Sequence, residues 1–431
     1  MKVSNQRLRL LFCDHLNLAR GKYLPADKMK SNGSSRFAQA TYGVHFDRDL
    51  HPSPGSRMME GAPDMVAVYK KSEIRTSWNA DEKLIIGDLQ EADGQPLPMC
   101  GRSALKKAVS DWQKLGFKAK VGLEIEAYAF VRDANGALQP YDTPHSYVYS
   151  TGQFADPRGF VDAIWEAAAE AGFNIESVTT EYDTPQFEFT LKYDDALQAV
   201  DDHFLFRLMA REIALQHGIV LTCLPKPFAN KGGSGTHVNF SFLDKQGKNT
   251  IGNPADVDKM TKLAKGCVAG LMHHHRGMAG LIAPIANSYA RLKPASMSGY
   301  WCNWGGDHRG VTTRVSAETG AKARIEHRMG DGAANPYVLV ATVLQAARLG
   351  FIHKYDLPPR ETGDCFEHTT ATSAAPDNLS EAMDELEKDN VLAEAVGRVL
   401  VDNQIFMKRG EAEKTKDLNG DALRDYYINY V

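Results

Sequence analysis

Glu124 and Glu126 stand two apart in V-G-L-E-I-E-A-Y (121–128). In a strand, residues i and i+2 share a face, so both carboxylates would project from one side. Val121, Leu123, Ile125 and Ala127 would back onto a core. One such pair fits a solvated acidic face. The spacing recurs, however: Gln186 and Glu188 share a face, with Glu181 just upstream, and His237 and Asn239 follow Gly232-Gly233-Ser234-Gly235. Arg324, Glu326 and Arg328 alternate with Ala323, Ile325 and His327. A solvated face needs neither a histidine nor an Arg-Glu-Arg alternation. Five carboxylates and one imidazole suit two or three hard divalent cations, Mg²⁺ or Mn²⁺. Without a cation, such carboxylates would repel and raise one another's pKa. Arginines beside them imply a polyanion, most economically a nucleoside triphosphate. Phosphoryl transfer is catalysed mainly by positioning and charge neutralisation. The residues therefore suggest a metal-dependent phosphoryl-transfer enzyme.

The rest of the chain must position these groups. It has 431 residues, room for two to three domains at about 150 residues each. Lys plus Arg number 50 against 54 Asp plus Glu, a net charge of −4, which argues against a dedicated nucleic-acid binder. Hydrophobic residues at 43% and charged residues at 24% exclude a disordered chain. No window reaches the roughly 18 consecutive apolar residues of a membrane span. Met1–Arg9 is polar and basic and is not followed by the apolar h-region of a secretory signal. Cys13, Cys100, Cys223, Cys267, Cys302 and Cys365 are scattered, as in a reduced cytoplasmic protein.

The first hundred residues read as short strands between Gly/Pro/Asn-rich turns, with apolar runs at Leu8–Cys13, Met65–Tyr69 and Leu84–Leu89. A small β-rich domain over 1–98 is expected, then a larger domain over 99–431. In the latter, spacing predicts helices at 103–115, 160–171, 196–217, 260–278 and 336–349, and a helical pair at 378–400. Strands are expected at 121–131, 186–191, 237–243 and 323–328. The fold class is α+β.

Taken in order, these segments resemble the class I glutamine synthetase superfamily. They are G-L-E-I-E (122–126), E-Y-D-T-P-Q-F-E (181–188), L-P-K-P (224–227), G-S-G-T-H-V-N (233–239), N-S-Y-A-R-L-K-P (287–294), W-G-G-D-H-R (304–309), A-R-I-E-H-R-M-G-D (323–331) and N-P-Y (335–337). D-H-L-N-L-A-R-G-K (14–22) is similar to an N-terminal loop of the family. The resemblance implies a β-grasp-like N-terminal domain and a catalytic domain with a curved antiparallel sheet. ATP would enter at one end and glutamate at the other. It implies a homo-oligomeric ring, usually a dodecamer, with sites at subunit junctions.

By the same resemblance, Glu126, Glu181 and Glu188 would hold one metal, and Glu124, His237 and Glu326 the other. Arg291 and Arg328 would clamp the glutamate carboxylates, with Gly233 contributing backbone. Arg309, Arg314 and Arg324 would face phosphate, with Asn239 and Ser241 on the nucleotide side. Asp14 of a neighbouring subunit would take the proton of the incoming nitrogen, and Glu181 would also be catalytic.

The departures matter. Ammonia-using relatives carry a Glu in the loop after N-S-Y-x-R-L-x-P, where Met297 stands here. A thioether cannot attract ammonium but can contact an alkyl group. Each buried methylene of an amine could contribute up to about 0.8 kcal/mol. Asn239 stands for a second His, Pro185 and Gly330 exchange the usual Gly and Pro, and Asn17 replaces a Gly. His273-His274-His275 is expected to be structural, and Tyr355 is not equated with a known modification site. The expected reaction joins the γ-carboxylate of glutamate to a small primary alkylamine through γ-glutamyl phosphate, consuming ATP. The alternatives are glutamine synthesis from ammonia and a catalytically silent nucleotide- or amine-sensing ring protein.

Overall fold

The computed structural model describes residues 6–431, so the first five residues behind the signal-peptide expectation lie outside the described residues. Strand β1 (Arg7–Cys13) divides its side chains between two cores. Leu8, Leu10 and Phe12 join a small cluster with Met65, Ala67 and Ile85, whereas Leu11 and Cys13 enter the large core. After it come β2 (Ala19–Pro25), β3 (Gly33–Ala38), β4 (Asp64–Tyr69), β5 (Arg75–Thr76), β6 (Glu82–Ile86) and β7 (Asp88–Gln90). They form a sheet of order β2-β1-β6-β5, in which β1 and β6 run parallel, and a sheet of order β3-β4-β7. The run expected as one strand at Leu84–Leu89 is therefore two. The Gly87 N–H donates to Leu11 O at 2.8 Å, and the chain then crosses from one sheet to the other.

Next come α1 (Gly101–Lys114), β8 (Lys118–Arg132), β9 (Leu138–Pro140), α2 (Phe160–Ala171), β10 (Ile175–Thr180), β11 (Gln186–Leu191), β12 (Asp194–Asp195), α3 (Ala196–Gln216), β13 (Val220–Thr222) and β14 (Thr236–Leu243). Then follow α4 (Lys262–His273), α5 (His275–Ile282), α6 (Ser288–Arg291), β15 (Trp304–Gly306), β16 (Thr313–Val315) and β17 (Ile325–His327). The chain ends with α7 (Pro336–His353), α8 (Leu379–Lys388), α9 (Asn390–Val396), α10 (Arg398–Thr415) and α11 (Gly420–Tyr427).

The main sheet has ten strands, with the path β10-β11-β8-β14-β17-β16-β15 and β9, β12 and β13 pairing with β8. It is antiparallel apart from the β15–β16 pair. Strand β8 organises it. Ala119, Val121, Leu123, Ile125 and Ala127 are buried, and the residues between them are half-buried on the opposite face. The α+β class is as expected.

Helix α7 is apolar nearly all round and buried along most of its length, as a central core helix must be. Asn335 caps it, accepting from the N–H groups of Tyr337 and Val338, with Pro336 in the first turn. Its crossing with α4 is close: a Cβ on Gly270 would lie 2.0 Å from Ala346 O. The helix expected at 260–278 is broken into α4 and α5 at His274. That imidazole is buried, and its Nδ1 lies 2.7 Å from Asp389 Oδ2. Residues 378–400 hold α8, α9 and the start of α10 rather than a pair. Among the described residues no helix is long and apolar enough to cross a membrane.

Candidate active site

Register assembles the polar face. Glu188 pairs opposite Glu126, and His237 opposite Glu124. Asn239 pairs opposite both Gly122 and Glu326, and Arg314 opposite Glu326. Directly opposed residues project to the same side, so strands distant in sequence present one acidic patch. Two ligand groups result, Glu124–His237–Glu326 and Glu126–Glu188–His237, each with atoms within 4.8 Å of one another. His237 Nδ1 lies 2.8 Å from Glu124 and 3.6 Å from Glu326, and Nε2 lies 3.5 Å from Glu126. The first group is the expected set. The second joins Glu126 and Glu188 with His237, and Glu181, expected with them, falls outside this tight group.

The electrostatics fit a cation. Burial and then Glu124, with help from Glu126 and Glu181, push the Glu188 carboxyl up to about 7, against the pull of His237. Burial and Glu126 also push Glu181 upward. Burial opposes a charged Glu124, but the His237 hydrogen bond and the Arg328 charge prevail and hold it at about 2. Burial and Arg328 oppose a charged His237, yet Glu126 and Glu124 keep its pKa above the ordinary imidazole value. Crowded oxygens with one imidazole are the donor set of a hard divalent ion, which would relieve the repulsion.

Glycines let the chain close over this patch. The Gly235 N–H donates to Glu126 Oε2 at 2.7 Å, and a Cβ on Gly235 would lie 2.5 Å from Arg291 Nη2. A Cβ on Gly233 would lie 2.6 Å from Arg291 Cγ. Arg291 is buried and donates to Met329 O at 2.8 Å and Arg328 O at 3.0 Å. Arg328 Nη1 donates to Glu326 at 2.5 Å, and Arg314 donates to the other Glu326 oxygen at 3.1 Å and to Asp307 at 2.5 Å. The Nε atoms of Arg314 and Arg328 are buried without partners. Arg324 Nε donates to Asn239 Oδ1 at 3.2 Å, and Asn239 Nδ2 donates to Glu124 at 2.9 Å.

A cavity of about 530 Å³ opens beside the patch, lined by Glu124, Asn239, Ser241 and Arg324 among others. Its size is within the range of small-molecule sites. Arg309 is exposed on the loop after β15, and its charge helps hold the Asp307 carboxyl low, behind the larger effect of Arg314. Met297 is 46% exposed with φ +50°. Gly299 anchors its loop, because a Cβ there would lie 2.7 Å from Met329.

Asp14 lies apart, in the turn between β1 and β2. Its carboxylate is fully buried and engaged within its own chain, accepting from Leu16 N and Leu18 N at 2.9 Å and from Arg20 Nε at 2.7 Å. Glu361, unremarked in the sequence, is a supporting residue. It accepts from Asn303 and Thr370 at 2.8 Å and from Thr369 at 2.7 Å, tying the 359–370 loop to the strand region carrying Arg309 and Arg314. Its only local signal is an acid within P-P-R-E-T-G (358–363).

A family profile described as glutamine synthetase, catalytic domain, matches residues 98–426. A glutamine synthetase of Clostridium saccharobutylicum is 31% identical over 363 residues, covering 80% of this chain and 79% of that protein. A glutamate–isopropylamine ligase of a Pseudomonas species is 29% identical over 309 residues, covering 70% and 67%. A solved structure described as apo GmaS without ligand aligns with TM-score 0.82 at 25% identity, over 98% of this chain and 97% of that one. Another, a novel glutamine synthase homolog, gives TM-score 0.84 at 24% identity over 99% and 98%, a likeness of fold alone. Fold and site are those of a carbon–nitrogen ligase that joins glutamate to ammonia or an amine. The chain belongs to the glutamine synthetase family, whose members generally use ATP and divalent metal ions.

Proposed function

We propose that this ligase joins the γ-carboxylate of glutamate to a small primary alkylamine. The carrying observation is the clustering of Glu124, Glu126, Glu188, His237 and Glu326 on one face of the sheet, next to a cavity of nucleotide size. These residues would hold Mg²⁺ or Mn²⁺, which when bound neutralises phosphate charge. Asn239, Ser241 and Arg324 face the ATP phosphates, and Arg309 and Arg314 stabilise the group in transfer. Arg291 and Arg328, with the Gly233 backbone, orient the carboxylates of glutamate. Phosphoryl transfer to the γ-carboxylate gives γ-glutamyl phosphate and ADP. The amine nitrogen then attacks the acyl carbon and phosphate leaves. We assign the nitrogen's proton to Asp14 of a neighbouring subunit, with Glu181 a further catalytic carboxylate beside Glu126 and Glu188.

The amine preference rests on Met297, a thioether where ammonia-using relatives carry a carboxylate. A relative named glutamate–isopropylamine ligase supports it. The relative named glutamine synthetase, at 31% identity, favours ammonia instead. Phosphate release with ATP and glutamate, measured across ammonia and a panel of alkylamines with mass detection of the γ-glutamyl product, decides between them. Higher kcat/KM with ammonia than with every alkylamine would overturn the amine assignment. We further place the enzyme in the cytoplasm as a homo-oligomeric ring. The free thiols of all six cysteines support the reducing compartment.

A further inference from the structure

Helix α3 carries two neighbouring guanidinium groups, Arg207 and Arg211, and neither forms an ion pair among the described residues. Arg211 is satisfied by carbonyls, donating to Leu221 O at 3.2 Å, Tyr430 O at 2.8 Å and Asn429 O at 3.3 Å. Arg207 is not. It is 7% exposed; Nη1 donates to Asn17 O at 3.2 Å, while Nε and Nη2 are buried with no partner. His203, one turn earlier on the same helix face and 2% exposed, leaves Nδ1 unpartnered as well. A guanidinium does not escape by losing its proton, and burying one without a counter-charge is strongly unfavourable.

We propose that Arg207 Nε and Nη2, with His203 Nδ1, form a binding site for a small monovalent inorganic anion, with chloride as the occupant. The donor set is one charge and at most four N–H groups on three nitrogens, too few for a divalent oxyanion whose oxygens would all lose water. Burial, reinforced by the Arg207 charge, keeps His203 neutral with a pKa of about 3, so its ring carries one N–H for the anion. The site lies at a structural junction. Arg207 meets the β1–β2 turn at Asn17, and Asn17 Nδ2 donates to Gly332 O at 2.9 Å in the loop that follows Arg328. An anion there would fasten α3, the N-terminal turn and the segment leading out of the metal cluster.

The test is thermal unfolding of the full chain at constant ionic strength, with sodium methanesulfonate replaced stepwise by chloride. A saturable rise in Tm of about 2–4 °C is expected, reproduced by bromide. Arg207→Met should abolish the halide dependence. Crystals of the unaltered protein grown in bromide should show an anomalous peak beside Arg207, which keeps the test open if the variant does not fold. Absence of both the peak and the halide-specific rise would overturn the proposal, leaving water on these donors. A peak without the rise, an adventitious ion only, would overturn it equally.

Discussion

His237 and Glu124 face each other across β14 and β8 with Nδ1 and Oε2 2.8 Å apart, and Asn239 holds the second Glu124 oxygen at 2.9 Å. A carboxylate fixed this way presents its lone pairs in one direction, as a ligand to a hard cation requires. Glu124→Gln keeps the shape but removes the charge and one of the two acceptor oxygens. It should lower Mn²⁺ affinity and kcat/KM by about 100-fold or more, with the protein still folded. Calorimetric Mn²⁺ titration beside phosphate release checks this; unchanged affinity in a folded variant would refute the ligand assignment. Removal of divalent ions should stop turnover in the unaltered enzyme, with recovery on adding Mg²⁺ or Mn²⁺.

Much of this arrangement was legible because strand alternation is local. The half-buried Glu124 and Glu126 between buried Leu123, Ile125 and Ala127 follow from period two alone. The helix at Phe160–Ala171 was equally legible, with Gly172 at φ +78° closing it. What the residues themselves did not reveal was register. That Glu188 meets Glu126, or Asn239 meets Glu326, depends on pairings across long stretches of chain. The break at His274, whose imidazole meets Asp389 over a hundred residues away, had no local signal. Glu181 was grouped by resemblance with Glu126 and Glu188; it lies outside the two tight ligand groups, while Glu126 still pushes its carboxyl upward.

Met297 and Gly299 together determine what a substitution in the amine loop does. Gly299 pins the loop beside Met329, and Met297 at φ +50° extends into solvent from it. A glutamate can occupy that backbone conformation about as well as a methionine. Met297→Glu should therefore fold normally and raise the ratio of kcat/KM for ammonia over alkylamine by about 10-fold, or ~1.4 kcal/mol. Competition between ethylamine and ammonia, read by product mass, measures the ratio. No change in it would mean the loop does not reach the nitrogen.

Asp14 can be separated from chemistry by stability. Its buried carboxylate accepts two backbone N–H groups and the Arg20 guanidinium. Asp14→Ala removes those acceptors together and should cost about 2–4 kcal/mol of stability. Denaturant titration and amine KM should be measured on the same preparation. A variant of normal stability that has lost only amine turnover would support the role at nitrogen that its motif implies.

Glu361 supplies a pH dependence whose sign is fixed. Burial opposes its ionisation, but hydrogen bonds from Thr369, Asn303 and the Thr370 and Gly363 N–H groups hold its pKa down at about 2, below the usual 4.5. A depressed carboxylate stabilises the folded state fully above its ordinary pKa. That contribution is lost as pH falls from about 5 towards 2. Allowing for solvent screening on the outer side of the loop, it amounts to about 2 kcal/mol. Glu361→Gln should forfeit this at neutral pH and flatten the stability profile between about pH 5 and pH 3. Because Glu361 anchors Asn303, whose Oδ1 accepts from Thr312 N at 3.1 Å, the loop carrying Arg309 should loosen as well. Faster amide exchange across 305–314 in the variant would show it, and a profile parallel to that of the unaltered protein would remove Glu361 as the cause.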